Sequence, residues 1–125
     1  QNANWCIGLD TPKIAEISRK YLYELGLLSF DVFGVDLKSD ISYLFKNIKF
    51  KVIFYMSIEG HIGFPNWLKS VKFDYILYEG HQDENIVQIK DKIKESLLDV
   101  NIISETMSQD GDSRARPVLL CKNSN

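Results

Sequence analysis

Residues 73–97, FDYILYEGHQDENIVQIKDKIKESL, decide how the chain is read. Phe73 to Tyr78 is a short, nearly continuous apolar run closed by Glu79-Gly80, which predicts a buried strand. The residues after it change period. Ile86, Ile89, Ile93 and Leu97 recur three or four apart, as one face of a helix does, while Asp91, Lys92 and Glu95 fall on other faces. Asp83 stands ahead of the first of them, where a short acceptor side chain caps the free N–H groups of a first turn. A strand followed by an amphipathic helix is the unit of an α/β fold.

The same unit recurs upstream. Trp5 to Leu9 reads as a strand ending at Asp10; Thr11-Pro12 opens a helix with Ile14, Ile17, Tyr21 and Leu25 as its apolar stripe and Gly26 as its stop. Phe30 to Leu37 is a second strand, and Ser39 or Asp40 caps a short helix carrying Ile41, Leu44, Phe45 and Ile48. Val52 to Ile58 is a third, bounded by Gly60, after which Pro65 starts a helix with Phe64, Trp67, Leu68 and Val71 as its apolar residues. Downstream, Ile102 to Met107 and Pro117 to Lys122 flank a turn rich in Gly, Asp and Ser, with Arg114 to Pro117 on an exposed loop edge. Alternating strands and helices predict right-handed crossovers and a parallel sheet covered on both faces. The expected fold class is therefore α/β: a three-layer sandwich with a mostly parallel central sheet (β-α-β-α-β-α-β-α) and a C-terminal β-hairpin at one edge. No linker or break in composition divides residues 1–125, so a single domain is expected.

Composition narrows the functional classes. The 125 residues are 45% apolar and 26% charged, as in ordinary folded proteins. Net charge is −2 and the lysines are scattered; Lys90, Lys92 and Lys94 spread around a helix instead of forming a stripe. Without a basic surface to displace counterions, nucleic acid is not expected as a partner. No apolar run approaches the ~20 residues of a membrane span, so no membrane partner is expected. The two cysteines, Cys6 and Cys121, match no zinc spacing and read as buried free thiols, a disulfide requiring neighbouring strands. A reducing cytoplasm is the expected location.

Motifs of chemistry are sparse. Ser18, Ser39, Ser57 and Ser70 lack the Gly-x-Ser-x-Gly setting of a nucleophile elbow, and no Gly-rich phosphate loop occurs among seven dispersed glycines. No catalytic residue, cofactor or metal is assigned on this basis. In parallel sheets, however, ligands bind beyond the carboxyl ends of the strands. That edge carries Asp10, Asp36, Glu59 and Glu79, with both histidines in a repeated tripeptide, Glu59-Gly60-His61 and Glu79-Gly80-His81. Such a set can ligate a metal or move protons. It can equally consist of helix caps and solvated turn residues.

Phe30–Leu37, Val52–Ser57 and Phe73–Glu79, each followed by a helix, resemble the second half of a response-regulator receiver domain. The resemblance implies an acceptor role for Asp36 and a hydroxyl role for Ser57. Glu79 stands where that family has a lysine, Asp10 is single where it has an acidic pair, and one strand–helix unit is missing.

With no catalytic motif, a compact acidic domain is expected to act by binding. The expectation is a bacterial immunity or antitoxin protein whose partner is a protein, a basic toxin domain such as a nuclease, met by Asp10, Asp36, Glu59, His61, Glu79 and His81 through charge complementarity. The alternatives are a metal-dependent hydrolase or nuclease on the same acidic/His edge, which requires three of these side chains to converge, and a degenerate receiver.

Overall fold

A computed structural model describes residues 5–56, 58–81, 84–97, 99–109 and 115–124. The chain divides into two compact units, Gln1–Ile41 and Ser42–Asn125.

In the first unit, β1 (Cys6–Asp10) and β2 (Phe30–Gly34) form a parallel pair joined through α1 (Pro12–Glu24). Their register runs from Cys6 opposite Phe30 to Asp10 opposite Gly34. Pro12 takes the first helical position, and Asp10 Oδ1 accepts the Thr11 N–H at 2.7 Å. Gly26, at φ 70°, provides the left-handed exit. The expected stripe is not the buried face: Ile14, Ile17, Tyr21 and Leu25 are exposed, whereas Ala15 is fully buried. Close approach decides this. A Cβ on Gly34 would lie 2.6 Å from Pro12 Cα and 3.4 Å from Ala15 Cβ, so the face with the smallest residue turns to the strand. Arg19 secures the same face by donating from Nε to the Val32 carbonyl at 2.8 Å.

The second unit opens with a 3-10 turn (Ser42–Phe45) and β3 (Lys49–Met56). Two short helices, α2 (Glu59–Ile62) and α3 (Asn66–Ser70), lead to β4 (Lys72–Glu79). After it come α4 (Ile86–Ser96), β5 (Val100–Gln109) and β6 (Ala115–Asn123). The sheet order is β3-β4-β6-β5. β3 and β4 are parallel, and β6 is antiparallel to both β4 and β5. Ile76 pairs with Cys121 and Tyr78 with Leu119, so four fully buried side chains share one sheet face. Ile89 and Ile93 of α4, and Leu97 at its C-cap, are buried as the 3.6-residue pattern requires. A second apolar group forms where Phe45 meets Phe50 edge-on at 5.5 Å and Trp67 at 6.4 Å.

This architecture corrects the expected three-layer, mostly parallel sandwich. The hairpin does not sit at an edge: β6 enters the sheet between β4 and β5, leaving β3–β4 as the parallel pairing there, while β1–β2 form a separate two-stranded sheet. The β3–β4 crossover is made of four- and five-residue helices, too little to cover a sheet face. Pro117, expected on an exposed loop edge, is buried. The β4 ladder ends at Glu79 opposite Val118, so no N–H is needed from it there, and its carbonyl accepts the Gly80 N–H at 2.9 Å. The cap of α4 is Asn85, whose Oδ1 accepts from the Val87 N–H at 2.8 Å. Asp83, Ser57 and the Gly/Asp/Ser turn with Arg114 lie outside the described residues. Both cysteines are free, Cys121 buried but Cys6 exposed. Among the described residues, no helix is long and apolar enough to cross a membrane.

Candidate functional site

The carboxyl ends of β3 and β4 gather the most concentrated chemistry of the second unit. Tyr55 and Tyr78 are register partners whose rings stack 6.1 Å apart, and Phe64 stacks on both, at 5.4 and 5.6 Å. The Tyr55 hydroxyl donates to the Gly63 carbonyl. The Tyr78 hydroxyl, on a residue only 1% exposed, has no hydrogen-bond partner among the described residues. Burial pushes both phenols well above their ordinary value of 10, and the Glu59 charge pushes them in the same direction.

Around the stack runs a polar chain. The Glu59 side chain, 11% exposed, pairs with Lys92 Nζ at 3.0 Å, and Lys92 also lies 3.9 Å from Glu84. Glu84 Oε2 accepts the His81 N–H at 2.6 Å. His81 Nε2 in turn accepts the Gly60 N–H at 2.9 Å, which puts the proton of the neutral ring on Nδ1. His61 meets the His81 ring nearly edge-on, with centroids 5.9 Å apart. The two Glu-Gly-His tripeptides thus meet each other, the first in α2 and the second where β4 ends. Their glycines are needed for closeness: a Cβ on Gly60 would fall on His81 Nε2, and one on Gly80 would come within 2.6 Å of Glu84 Oε2.

The predicted edge is therefore only partly assembled. Glu59, His61 and His81 come together. Glu79 ends the neighbouring strand but accepts from Ser108 Oγ at 3.1 Å, tying β4 to β5. Asp10 and Asp36 belong to the first unit, at the carboxyl ends of β1 and just beyond β2. Asp36 accepts from the Lys38 N–H at 3.0 Å and the Ser39 hydroxyl at 2.9 Å, bonds that hold its carboxyl below the usual range. It closes a local turn, as a capping residue does. That finding and the antiparallel β6 within the sheet overturn the receiver reading. Among the described residues, no three His, Cys, Asp or Glu side chains are grouped to hold one ion. Tyr55, Phe64, Tyr78, Glu84 and Lys92 were not expected at the site. Their aromatic and charged positions carry the same pattern in sequence as core and solvated helix residues.

No protein-family model matches the chain, and no curated protein matches it. Solved structures do. An rRNA methylase from Escherichia coli superimposes with a TM-score of 0.59 at 11% identity, over 96% of this chain and 49% of its own. A Streptococcus pneumoniae protein assigned as a tRNA (m1A22) methyltransferase gives 0.61 at 12% identity, over 98% of this chain and 54% of its own. The same protein in complex with S-adenosyl-L-methionine gives 0.61 at 10% identity, covering 98% and 56%. The chain thus spans about half the length of each neighbour. These neighbours are RNA methyltransferases, not toxin inhibitors, and they overturn the expected immunity or antitoxin protein, its toxin partner and the exclusion of nucleic acid. What the chain shares with these proteins is a methyltransferase-like fold.

Proposed function

We propose that the protein binds S-adenosylmethionine and serves methyl transfer to RNA. One observation carries this reading: nearly the whole chain follows the fold of rRNA and tRNA methyltransferases, one of them in complex with that cofactor. Each unit has residues that fit such a ligand. In the first, one oxygen of Asp10 accepts from Thr11 and the other keeps its lone pairs at the carboxyl end of a parallel strand, where ribose hydroxyls are held in nucleotide-binding α/β folds. In the second, Phe64, the half-buried member of the Tyr55–Phe64–Tyr78 stack, offers an aromatic face suited to a cationic sulfonium or a flat base. The exposed His61 offers an imidazole to the same ligand. The cofactor, when bound, supplies the electrophilic methyl group.

On this reading the first unit holds the cofactor through Asp10, with Asp36 fixing the loop beyond β2. In the second unit His61 is the ligand-side residue, Glu59 and His81 position their neighbours, and Glu79 fixes the strand end. A cytoplasmic location is supported by two unpaired cysteines. Calorimetric titration with S-adenosylmethionine and S-adenosylhomocysteine tests the proposal. Saturable binding that Asp10→Ala abolishes is expected; binding of neither compound, or binding indifferent to Asp10→Ala, rejects it.

A further inference from the structure

The opposite, amino edge of the four-stranded sheet holds a cavity of about 550 Å³ that the methyl-transfer reading does not use. All four strands contribute to it. Lys49 and Lys72 are register partners at the first positions of β3 and β4; Val100 begins β5 and Asn123 ends β6. Lys69 and Ser70 enter from the end of α3, and Asp99 from the turn after α4.

The cavity is amphiphilic. Its buried walls are Val71, Phe73 and Leu97, each no more than 6% exposed. Its charged lining is three lysines against one aspartate, an excess of positive charge on a chain whose net charge is −2. Lys49 does pair with Asp74 at 2.6 Å, but Lys51 claims the same carboxylate at 2.9 Å, so one acid serves two ammonium groups. Lys69 and Lys72 are exposed, and their flexible stems can bring the ammonium groups over the cavity mouth. The fold has collected what looked scattered along the sequence. The volume falls within the ~300–1,000 Å³ of small-molecule sites.

Apolar walls beside two exposed lysines, Lys69 and Lys72, suit a flat group joined to a phosphate. We propose that this amino-edge cavity binds a nucleotide, with its phosphate held by Lys69 and Lys72 and its base against Val71, Phe73 and Leu97. The nucleotide is either free in solution or the 5′-phosphorylated end of an RNA strand. The site lies at the sheet edge away from Tyr55, Glu59 and His81, so it stands or falls separately from cofactor binding.

The test is calorimetric titration of the protein with adenosine 5′-monophosphate, adenosine, inorganic phosphate and a short RNA with or without a 5′-phosphate. The monophosphate should bind saturably and adenosine at least about tenfold more weakly, the loss expected when charge-assisted bonds are removed. Lys69→Glu/Lys72→Glu should lower monophosphate affinity by about tenfold or more while leaving circular dichroism and S-adenosylmethionine binding unchanged. Equal binding of both RNAs and none of the monophosphate overturns the proposal, as does monophosphate binding indifferent to the double substitution. If the phosphorylated RNA binds far better than the monophosphate, the natural ligand is a strand end; the reverse identifies a free nucleotide.

Discussion

Gly60→Ala sets two well-understood effects against each other, and the geometry of His81 decides the sign. Gly60 lies within α2, where alanine should gain up to about 1 kcal/mol of helix propensity. Its added Cβ, however, would land on His81 Nε2. His81 would have to move, breaking the 2.9 Å bond from the Gly60 N–H and disturbing the link through its own N–H to Glu84. Overpacking costs roughly 1–3 kcal/mol and a hydrogen bond about 1 kcal/mol. The expected net effect is a destabilisation of about 1–3 kcal/mol, read in urea as a midpoint lower by roughly 1 M at ordinary m-values. The control is His81→Ala, which removes the obstacle. In that background Gly60→Ala should be neutral or stabilising, with a coupling of about 0.5–3 kcal/mol across the double-mutant cycle. A Gly60→Ala protein more stable than the parent, or an equal cost with and without His81, would refute the meeting of the two tripeptides.

Tyr78→Phe removes a buried hydroxyl that has no partner among the described residues and should stabilise the protein by about 1–3 kcal/mol in urea; a loss of stability would mean the hydroxyl is bonded. Because Tyr55 and Tyr78 are held above their ordinary value of 10 in the fold, the unfolded chain loses its protons first, and stability falls as pH rises past 10. Absorbance titration, taken as a difference against the two phenylalanine variants, should show both phenols ionising only as the protein unfolds. Asp74 has the opposite sign: Lys49 and Lys51 hold its carboxyl below 3.8, so its stabilisation is present above that value and disappears as pH falls through the lowered one. Asp74→Asn should accordingly weaken the fold at neutral pH and make no difference in strongly acidic buffer. An aromatic disulfide reagent should label Cys6 at once and Cys121, buried and pushed up to about 11, only on unfolding.

The sequence carried the elements further than their arrangement. Pro12, Gly26 and the Ile89–Ile93 period are local signals, and each marks the expected feature in the structure. Strand order is not local. Nothing in Pro117 to Lys122 says that this segment enters between β4 and β5, because its alternation satisfies an edge or an interior position alike. The buried face of α1 was misjudged for a related reason: Ile14 and Ile17 outrank Ala15 in hydrophobicity, but Gly34 admits only the small side. At the site, the repeated Glu-Gly-His was visible as a pattern, yet its meaning lies in a contact between residues 60 and 81. Tyr55 and Tyr78, which beside acidic residues suggest a partly exposed surface, are buried, and that the Tyr78 hydroxyl has no partner among the described residues is visible only in three dimensions.

The place of β6 also has a consequence in time. Tyr75 of β4 pairs with Lys122, and Val100 of β5 with Asn123, so β6, one of the two inner strands of this sheet, is synthesised after the strands on both of its sides. Until it emerges, β4 keeps an open edge and β5 lacks its ladder, a state that invites pairing with other chains. Such long-range closure should slow the folding of this sheet.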